Sequence, residues 1–302
     1  VNWIQRTIVY ALLAAGTLVL LFPLWWMVVV SLSTPGEALA SVSGIQSFNF
    51  LPRSPQWHNY IDALKGMGSV REAVRDQVYV EKEMVGDWTG FLDALSNTVV
   101  ITMLCVLGQV ISCSLVGYSF ARLRFRGNGV AFMIMLSTMM LPGQVTMIPV
   151  FLLFRSLGWI DTIRPLVVPS FFGSAFYIFM FRQFFAQIPQ DLLDAARIDG
   201  ATNISIWWRI MLPMCRPVVS ITAVFTFMGH WNDFMGPLIY LHSKDKTTLA
   251  LALNSFRSQF GSVDKVHLLM AASVVTMIPC VLLFFVAQRQ FIKGLNIGAI
   301  KG

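Results

Sequence analysis

The sequence predicts an all-α membrane protein with six transmembrane helices, on three observations. Of its 302 residues, 56% are hydrophobic and only 12% are charged, against roughly a half and a quarter in soluble domains. Mean hydropathy is +0.67, and a chain this rich in Phe, Trp and Met has no reason to stay solvated as a disordered polymer. Finally, apolar runs of the roughly 20 residues needed to cross a bilayer recur along it, separated by short basic segments.

The runs lie at Ile8–Val30, Asn97–Tyr118, Val130–Phe154, Arg164–Phe181, Val218–Leu241 and Leu268–Ala287. The first exceeds the apolar core of a cleavable signal and lacks a small-residue cleavage site, so it is expected to remain as an anchor; the sequence starts at Val1 rather than Met. The fourth is interrupted by Pro165, Pro169 and Gly173, which neighbouring helices can accommodate by satisfying the freed backbone groups. Segments 1–30, 31–96, 97–288 and 289–302 thus read as first span, extracytoplasmic loop, transmembrane core and cytoplasmic tail.

Orientation follows from Lys and Arg in the short loops. Arg6, Arg122, Arg124, Arg126, Arg182, Arg197, Arg209, Arg216, Arg289, Lys293 and Lys301 fall on one side, which is therefore expected to be cytoplasmic with both termini. The other side has Arg155, Arg164, Lys244, Lys246, Arg257 and Lys265, plus a 31–96 segment with more acids than bases. A net charge of +7 is accounted for by this flanking pattern without a nucleic-acid partner. Cys105, Cys113, Cys215 and Cys280 show no C-x-x-C spacing, and His58, His230, His242 and His267 never pair at i, i+4. No metal site is expected.

Three segments lie outside the lipid. In 31–96, Arg71–Asp87 has the charge for a helix, and the segment is either a solvated cap or a surface for an extracytoplasmic partner. In 242–267 a loop with a short helix is expected. The internal segment 182–217 reads as helix, turn, helix. Pro189 suits a first helical turn and Asp191 and Asp194 favour its positive end. Gly200 permits the left-handed turn that ends it, Thr202 or Asn203 caps the next helix, and Pro213 is expected to stop that helix. Leu192, Ala195, Ala196 and Asp199 share a face at i, i+3, i+4, i+7, whose small residues allow a partner backbone to come close.

Asp194-Ala195-Ala196-Arg197-Ile198-Asp199-Gly200, followed by Ile210-Met211-Leu212-Pro213, resembles the E-A-A-x-x-x-G…I-x-L-P signature of membrane subunits of binding-protein-dependent ABC importers, with Asp194 where Glu is usual. Trp57-x-Asn59-Tyr60, Ala121-Arg122-Leu123-Arg124-Phe125-Arg126-Gly127, Trp231-Asn232-Asp233-Phe234-x-x-Pro237-Leu238 and Gln288-Arg289-x-Phe291-x-x-Gly294-Leu295-x-x-Gly298-Ala299-x-Lys301-Gly302 resemble the carbohydrate-uptake branch, of the maltose permease G type. Residues Gly66–Asp87 read as an insertion against the usual spacing, expected to contact the receptor or a neighbouring chain.

The resemblance implies the type I ABC importer permease fold and a complex with a second, homologous permease subunit, a dimer of cytoplasmic ABC ATPases and an extracytoplasmic solute-binding protein. It implies uptake of a carbohydrate, an oligosaccharide in the first instance, across a bacterial inner membrane. No G-x-x-x-x-G-K-[ST] occurs in the chain, so ATP and Mg are expected on the partner ATPases and not here. Asp194, Ala195, Ala196, Arg197, Asp199, Gly200, Leu212 and Pro213 are the expected ATPase-coupling residues. Gly294, Leu295, Gly298 and Lys301 are a second candidate ATPase contact, with a disordered basic tail as the alternative.

Asp233 falls within a span, where a charge costs roughly 2.5–3.5 kcal/mol and marks a pathway or an interface. With Trp231 and Asn232 beside it, helix packing near the translocation path is the first reading and a proton relay the second. Trp25, Trp26, Phe171, Phe172, Phe176 and Tyr177 could stack on sugar rings, but they also fit an interfacial aromatic belt. A secondary transporter driven by an ion gradient is the alternative from another class; it predicts inverted repeats with several intramembrane carboxylates. A membrane enzyme would need a convergent set of catalytic side chains, and none is visible.

Overall fold

The computed structural model describes residues 3–43, 50–76, 89–260 and 265–299, and among these all regular structure is helical. The expected helix over Arg71–Asp87 is seen in part: α3 (His58–Asp76) includes its first residues, and the rest, 77–87, which is the second half of the expected insertion, lies outside the described residues. Among the described residues four helices are long and apolar enough to cross a membrane, and up to six if two bent pairs each count as one span.

The first compact unit comprises 1–92 and 251–278. It holds α1 (Trp3–Ser31), α2 (Pro35–Ser43), α3 and the start of α15 (Val266–Ala299). A reciprocal capping box opens α2: the Thr34 amide donates to Glu37 Oε2 at 3.3 Å and the Glu37 amide to Thr34 Oγ1 at 3.4 Å. The Trp57-x-Asn59-Tyr60 motif is a tie to the end of α1. Buried Asn59 donates its amide to the carbonyls of Ser31 and Ser33 at 2.9 and 3.0 Å, and the Tyr60 hydroxyl meets Ser31 Oγ at 2.7 Å. Most of α1 is uncovered by its own chain; Leu20 is 78% exposed. An apolar helix left bare in this way is completed by lipid or by another subunit.

The second unit comprises 93–250 and 279–302, and the 34-residue α4 (Thr89–Arg122) is its spine. Near one end of α4, Ile101 and Cys105 pack with Phe154 of α6 (Gly143–Ser156), Leu166 and Val167 of α7 (Arg164–Val167) and Tyr240 of α13 (Met235–Tyr240). Toward the other end, Cys113 and Tyr118 pack with Phe181 and Phe185 of α8 (Ala175–Ala186) and with the segment that follows. Gly117 sets the closeness of α4 and α8, since a Cβ there would stand 2.7 Å from Phe181 Cβ. Small residues allow such backbone approach in membrane helices, where packing supplies most of the attraction.

Three expected spans are broken, the fourth as its prolines and Gly173 led one to expect, the third and fifth more than their composition suggested. The third is α5 (Asn128–Ser137), a 3-10 turn over Thr138–Met140 and α6, bent by 101°. Leu141 is extended, as a residue preceding proline prefers, and Pro142 caps α6. The fourth passes from α7 through a 3-10 turn at Val168–Phe172 and a break at Gly173 into α8. The fifth stops at Trp231, the end of α12 (Arg216–Trp231), and resumes only at Met235. Pro213 does not stop the preceding helix as expected. The chain runs through α10 (Asn203–Ile206), a π turn (Trp207–Met211) and α11 (Leu212–Met214), and bends by 82° at Cys215. A π turn slips the hydrogen-bond ladder by one residue, which accommodates the N–H that proline lacks.

Elsewhere, a 3-10 turn (Lys244–Lys246) and α14 (Leu249–Phe260) match the expected loop with a short helix. The backbone of α15 continues through the segment read as a tail as far as Ala299; Lys301 lies outside the described residues.

Candidate functional site

At the Arg122 end of the second unit a short helix, α9 (Gln190–Ile198), connects α8 to α10. Pro189 precedes this helix as its N-cap, one position earlier than expected. Arg122 locks the junction from α4: its guanidinium donates to the carbonyls of Phe185 and Ile188 and, at 3.1 Å, to Gln190 Oε1. A cation thus sits at the C-terminal end of α8, where the helix dipole favours it.

The far end of α9 is a Schellman motif. Gly200 takes φ +80°, its amide donates to Arg197 O at 3.0 Å, and the Ala201 amide donates to Ala196 O at 2.9 Å. Thr202 then caps α10 by accepting from the Ser205 amide at 3.3 Å. So α9 is fastened at both ends, and fully buried Leu193 roots it in the cluster of Phe181, Phe185, Ile206 and Met211.

The four residues expected to share a face do not all do so. Leu192, Ala195 and Asp199 are exposed, whereas Ala196 packs inward against the Leu193 cluster. The reason lies in α9's shortness: Leu193 and Ala196, at i and i+3, already form the inward stripe, so the outward stripe passes through Ala195 and Ile198 instead. Ile198, 86% exposed, was missed by the sequence reading. Its signal was an apolar residue at the C-terminal tip, outside the inward stripe.

Within α9, Asp194 Oδ1 accepts from Arg197 Nη1 at 2.8 Å and from Gln190 Nε2 at 3.1 Å. The pair is half-exposed, so its direct worth to stability is small, but it holds the carboxylate upright on the helix. Leu212 and Pro213 form α11 immediately before the Cys215 bend, with Pro213 exposed and Leu212 packed against the α9 cluster. A small helix, rooted by Leu193, presents an apolar tip and a carboxylate outward.

The Trp231–Asp233 motif sits at the break between α12 and α13. Trp231 is buried and stacks on Phe227, centroids 5.1 Å apart. Asp233 Oδ1 accepts from the Gly236 amide at 3.1 Å, which turns the chain into α13, and exposed Asn232 donates to Met228 O at 2.8 Å. Of the aromatic residues weighed for stacking, Phe172 is exposed and Tyr177 is packed against the α8 cluster. Gly294, Leu295 and Gly298 lie on the helical backbone of α15. Among the described residues no group of His, Cys, Asp and Glu could hold a metal.

At the opposite end of the unit the structure reveals a cluster that the sequence did not suggest. Asp161, at φ +60°, accepts from the amides of His242 and Ser243 at 3.0 and 2.8 Å, from the Ser243 hydroxyl, and from Lys246 Nζ at 3.1 Å. The Ser243 hydroxyl foremost, with the two amides and the Lys246 ammonium, holds its carboxyl well below the usual carboxylate range against a desolvation that opposes it. Beside it, Asn97 of α4 donates to the carbonyls of Asp245 and Thr247 at 2.7 and 3.1 Å.

Residues 114–297 match the family described as Binding-protein-dependent transport system inner membrane component. The arabinooligosaccharides transport system permease protein AraQ of Halalkalibacterium halodurans is 35% identical over 225 residues, 74% of this chain and 78% of that protein. The melibiose/raffinose/stachyose import permease protein MelC of Bacillus subtilis is 32% identical over 212 residues, 68% of this chain and 75% of that protein. A crystal structure of a bacterial ABC transporter involved in the import of the acidic polysaccharide alginate contains a chain that superposes with a TM-score of 0.75 at 24% identity, over 95% of this chain and 96% of that one.

Proposed function

The chain belongs to the family of binding-protein-dependent transport system inner membrane components, and we propose that it is the permease subunit of an ATP-driven importer of an oligosaccharide. It is a non-catalytic multi-pass membrane subunit. The arabinooligosaccharide and melibiose/raffinose/stachyose specificities of its relatives support the carbohydrate class.

The observation that carries the reading is α9: a helix with the Asp194–Gly200 motif, anchored by Leu193 and Arg122 and projecting Ile198 from the Arg122 end. In this reading that end is cytoplasmic, and the outward stripe of Leu192, Asp194, Ala195, Ile198 and Asp199 enters a groove on an ATPase subunit that binds ATP and Mg. Arg197, Ala196 and Gly200 keep the helix in shape, and Leu212 and Pro213 pass its displacement through the Cys215 bend into α12. Gly294, Leu295, Gly298 and Lys301 supply a second contact to the ATPases. A second permease covers the bare face of α1, and a solute-binding protein delivers the sugar to the opposite end, where Trp231, Asn232 and Asp233 shape the break beside the path.

The test is to purify the tagged chain from native membranes and identify what accompanies it by mass spectrometry. A P-loop ATPase and a second multi-span protein are expected, with oligosaccharide uptake in reconstituted vesicles that stops when ATP is withheld. Uptake that continues without ATP and ends when the ion gradient is collapsed would overturn the reading in favour of a secondary transporter.

A further inference from the structure

Between the α4–α5 connection and α9 lies an open cavity of about 1100 Å³ whose wall carries four guanidinium groups, from Arg122, Arg124, Arg126 and Arg197, against the single carboxylate of Asp194. That carboxylate is already satisfied by Arg197 and Gln190. Arg122 is engaged with backbone carbonyls and the Gln190 side-chain oxygen, neutral acceptors that leave its charge uncompensated. Arg124 and Arg126 are exposed and have no hydrogen bond or ion pair among the described residues. Asn128 and Asn203 complete the polar wall. Like charges gathered in one concavity repel one another unless an anion enters, and guanidinium forks match the geometry of a phosphate.

The remainder of the wall is apolar, from Phe120, Leu123 and Phe125, with the two Phe rings 6.1 Å apart. The cavity also lies where the 34-residue α4 ends and α5 begins with exposed Val130, Met133 and Ile134. A phosphate site with an apolar flank at the end of a spanning helix is at headgroup depth. We propose that this groove holds the phosphodiester of an anionic phospholipid, its glycerol and first methylenes against Phe125 and the start of α5. The lipid then bridges the α4–α5 connection to α9, so that the helix read above as the coupling element rests on a bound headgroup. The assignment rests on that reading only for the role of α9, not for the lipid itself.

The complete complex, purified with its partners, is reconstituted in nanodiscs of phosphatidylcholine with or without phosphatidylglycerol, and retained lipid is counted by native mass spectrometry. Retention of phosphatidylglycerol over phosphatidylcholine is expected. It should weaken by about 30-fold in the Arg124→Gln, Arg126→Gln double variant, which neutralises two cations near the membrane surface, and recover only in part in the Arg124→Lys, Arg126→Lys pair, which restores the charge but not the guanidinium fork. Equal retention in the Gln variant overturns the proposal. So does displacement by inorganic phosphate, which would make the ligand a free anion, and so does loss of a companion ATPase with lipid retention unchanged, which would make the groove a protein contact. Lipid retained by a wild-type preparation containing no ATPase would instead sink the importer reading and leave the lipid site standing.

Discussion

Asp161 and Gly200 are two of the described residues with left-handed backbone, and they differ in how replaceable they are. Asp161, at φ +60°, is one of the few L-residues that tolerate this region, as Asn does. Asp161→Asn therefore preserves the turn while removing the charge that Ser243 and Lys246 bind. A loss of about 1–2 kcal/mol is expected, toward the low end because the pair is partly exposed. Since the carboxyl titrates in the fold below its unfolded value of about 3.9, its contribution is complete above that value and is lost as pH falls toward the folded pKa. The melting-temperature gap between wild type and Asp161→Asn should thus be flat from about pH 5 to 8 and narrow only below about pH 4. A gap that grows on acidification would contradict the cluster's electrostatic origin. Gly200 is not replaceable in this way: proline there would impose φ near −65° and delete the amide that bonds Arg197 O. Gly200→Pro should cost about 3 kcal/mol or more locally and leave a chain that inserts in the membrane but neither retains the ATPase nor supports uptake. Normal transport by that variant would remove α9 from the coupling role.

At the scale of the element, α9 separates what holds a helix from what it presents. Leu193 is fully buried and Ile198 almost fully exposed, five residues apart on the same short helix. Leu193→Ala should destabilise the α8–α10 region by about 2–5 kcal/mol through reduced apolar burial and the cavity left behind, visible as faster amide exchange over α9. Ile198→Ala should leave exchange and melting unchanged within about 0.5 kcal/mol, yet reduce ATPase retention in the purified complex several-fold, as truncating a buried anchor of an interface does. If Ile198→Ala leaves retention intact, the outward stripe is not the docking surface.

For the whole molecule, orientation is the property on which the rest of the reading turns, and it is directly measurable. Cys105, Cys113 and Cys215 are buried and Cys280 is only half-exposed, so the native thiols give a low labelling background. A cysteine placed at the α4–α5 connection by Arg126→Cys should react with an impermeant maleimide only after permeabilisation. One placed by Lys244→Cys, at the opposite end, should react in intact cells. The reverse pattern would invert the topology and move α9 to the wrong side for an ATPase.

Much of this protein was legible from its residues alone because the relevant physics is local. Hydrophobic run length fixes which segments seek the bilayer, and glycine and proline chemistry fixes the ends of α9, where Gly200 turns the chain left-handed and Thr202 restarts the helix. Motif residues at fixed spacing identified the family before any contact was visible. Other features depend on partners far along the chain. Asp161 meets Ser243 and Lys246 across about eighty positions, Arg122 reaches the end of α8, and Ala196 turns inward because Leu193 has already chosen the buried face. The breaks at Leu141 and Asn232 and the π turn before Pro213 are local instead, set by Pro142, by the Asp233–Gly236 turn and by Pro213 itself. A helix's composition sets that it forms and that it is apolar; which face is covered follows from the side chains that other segments bring against it.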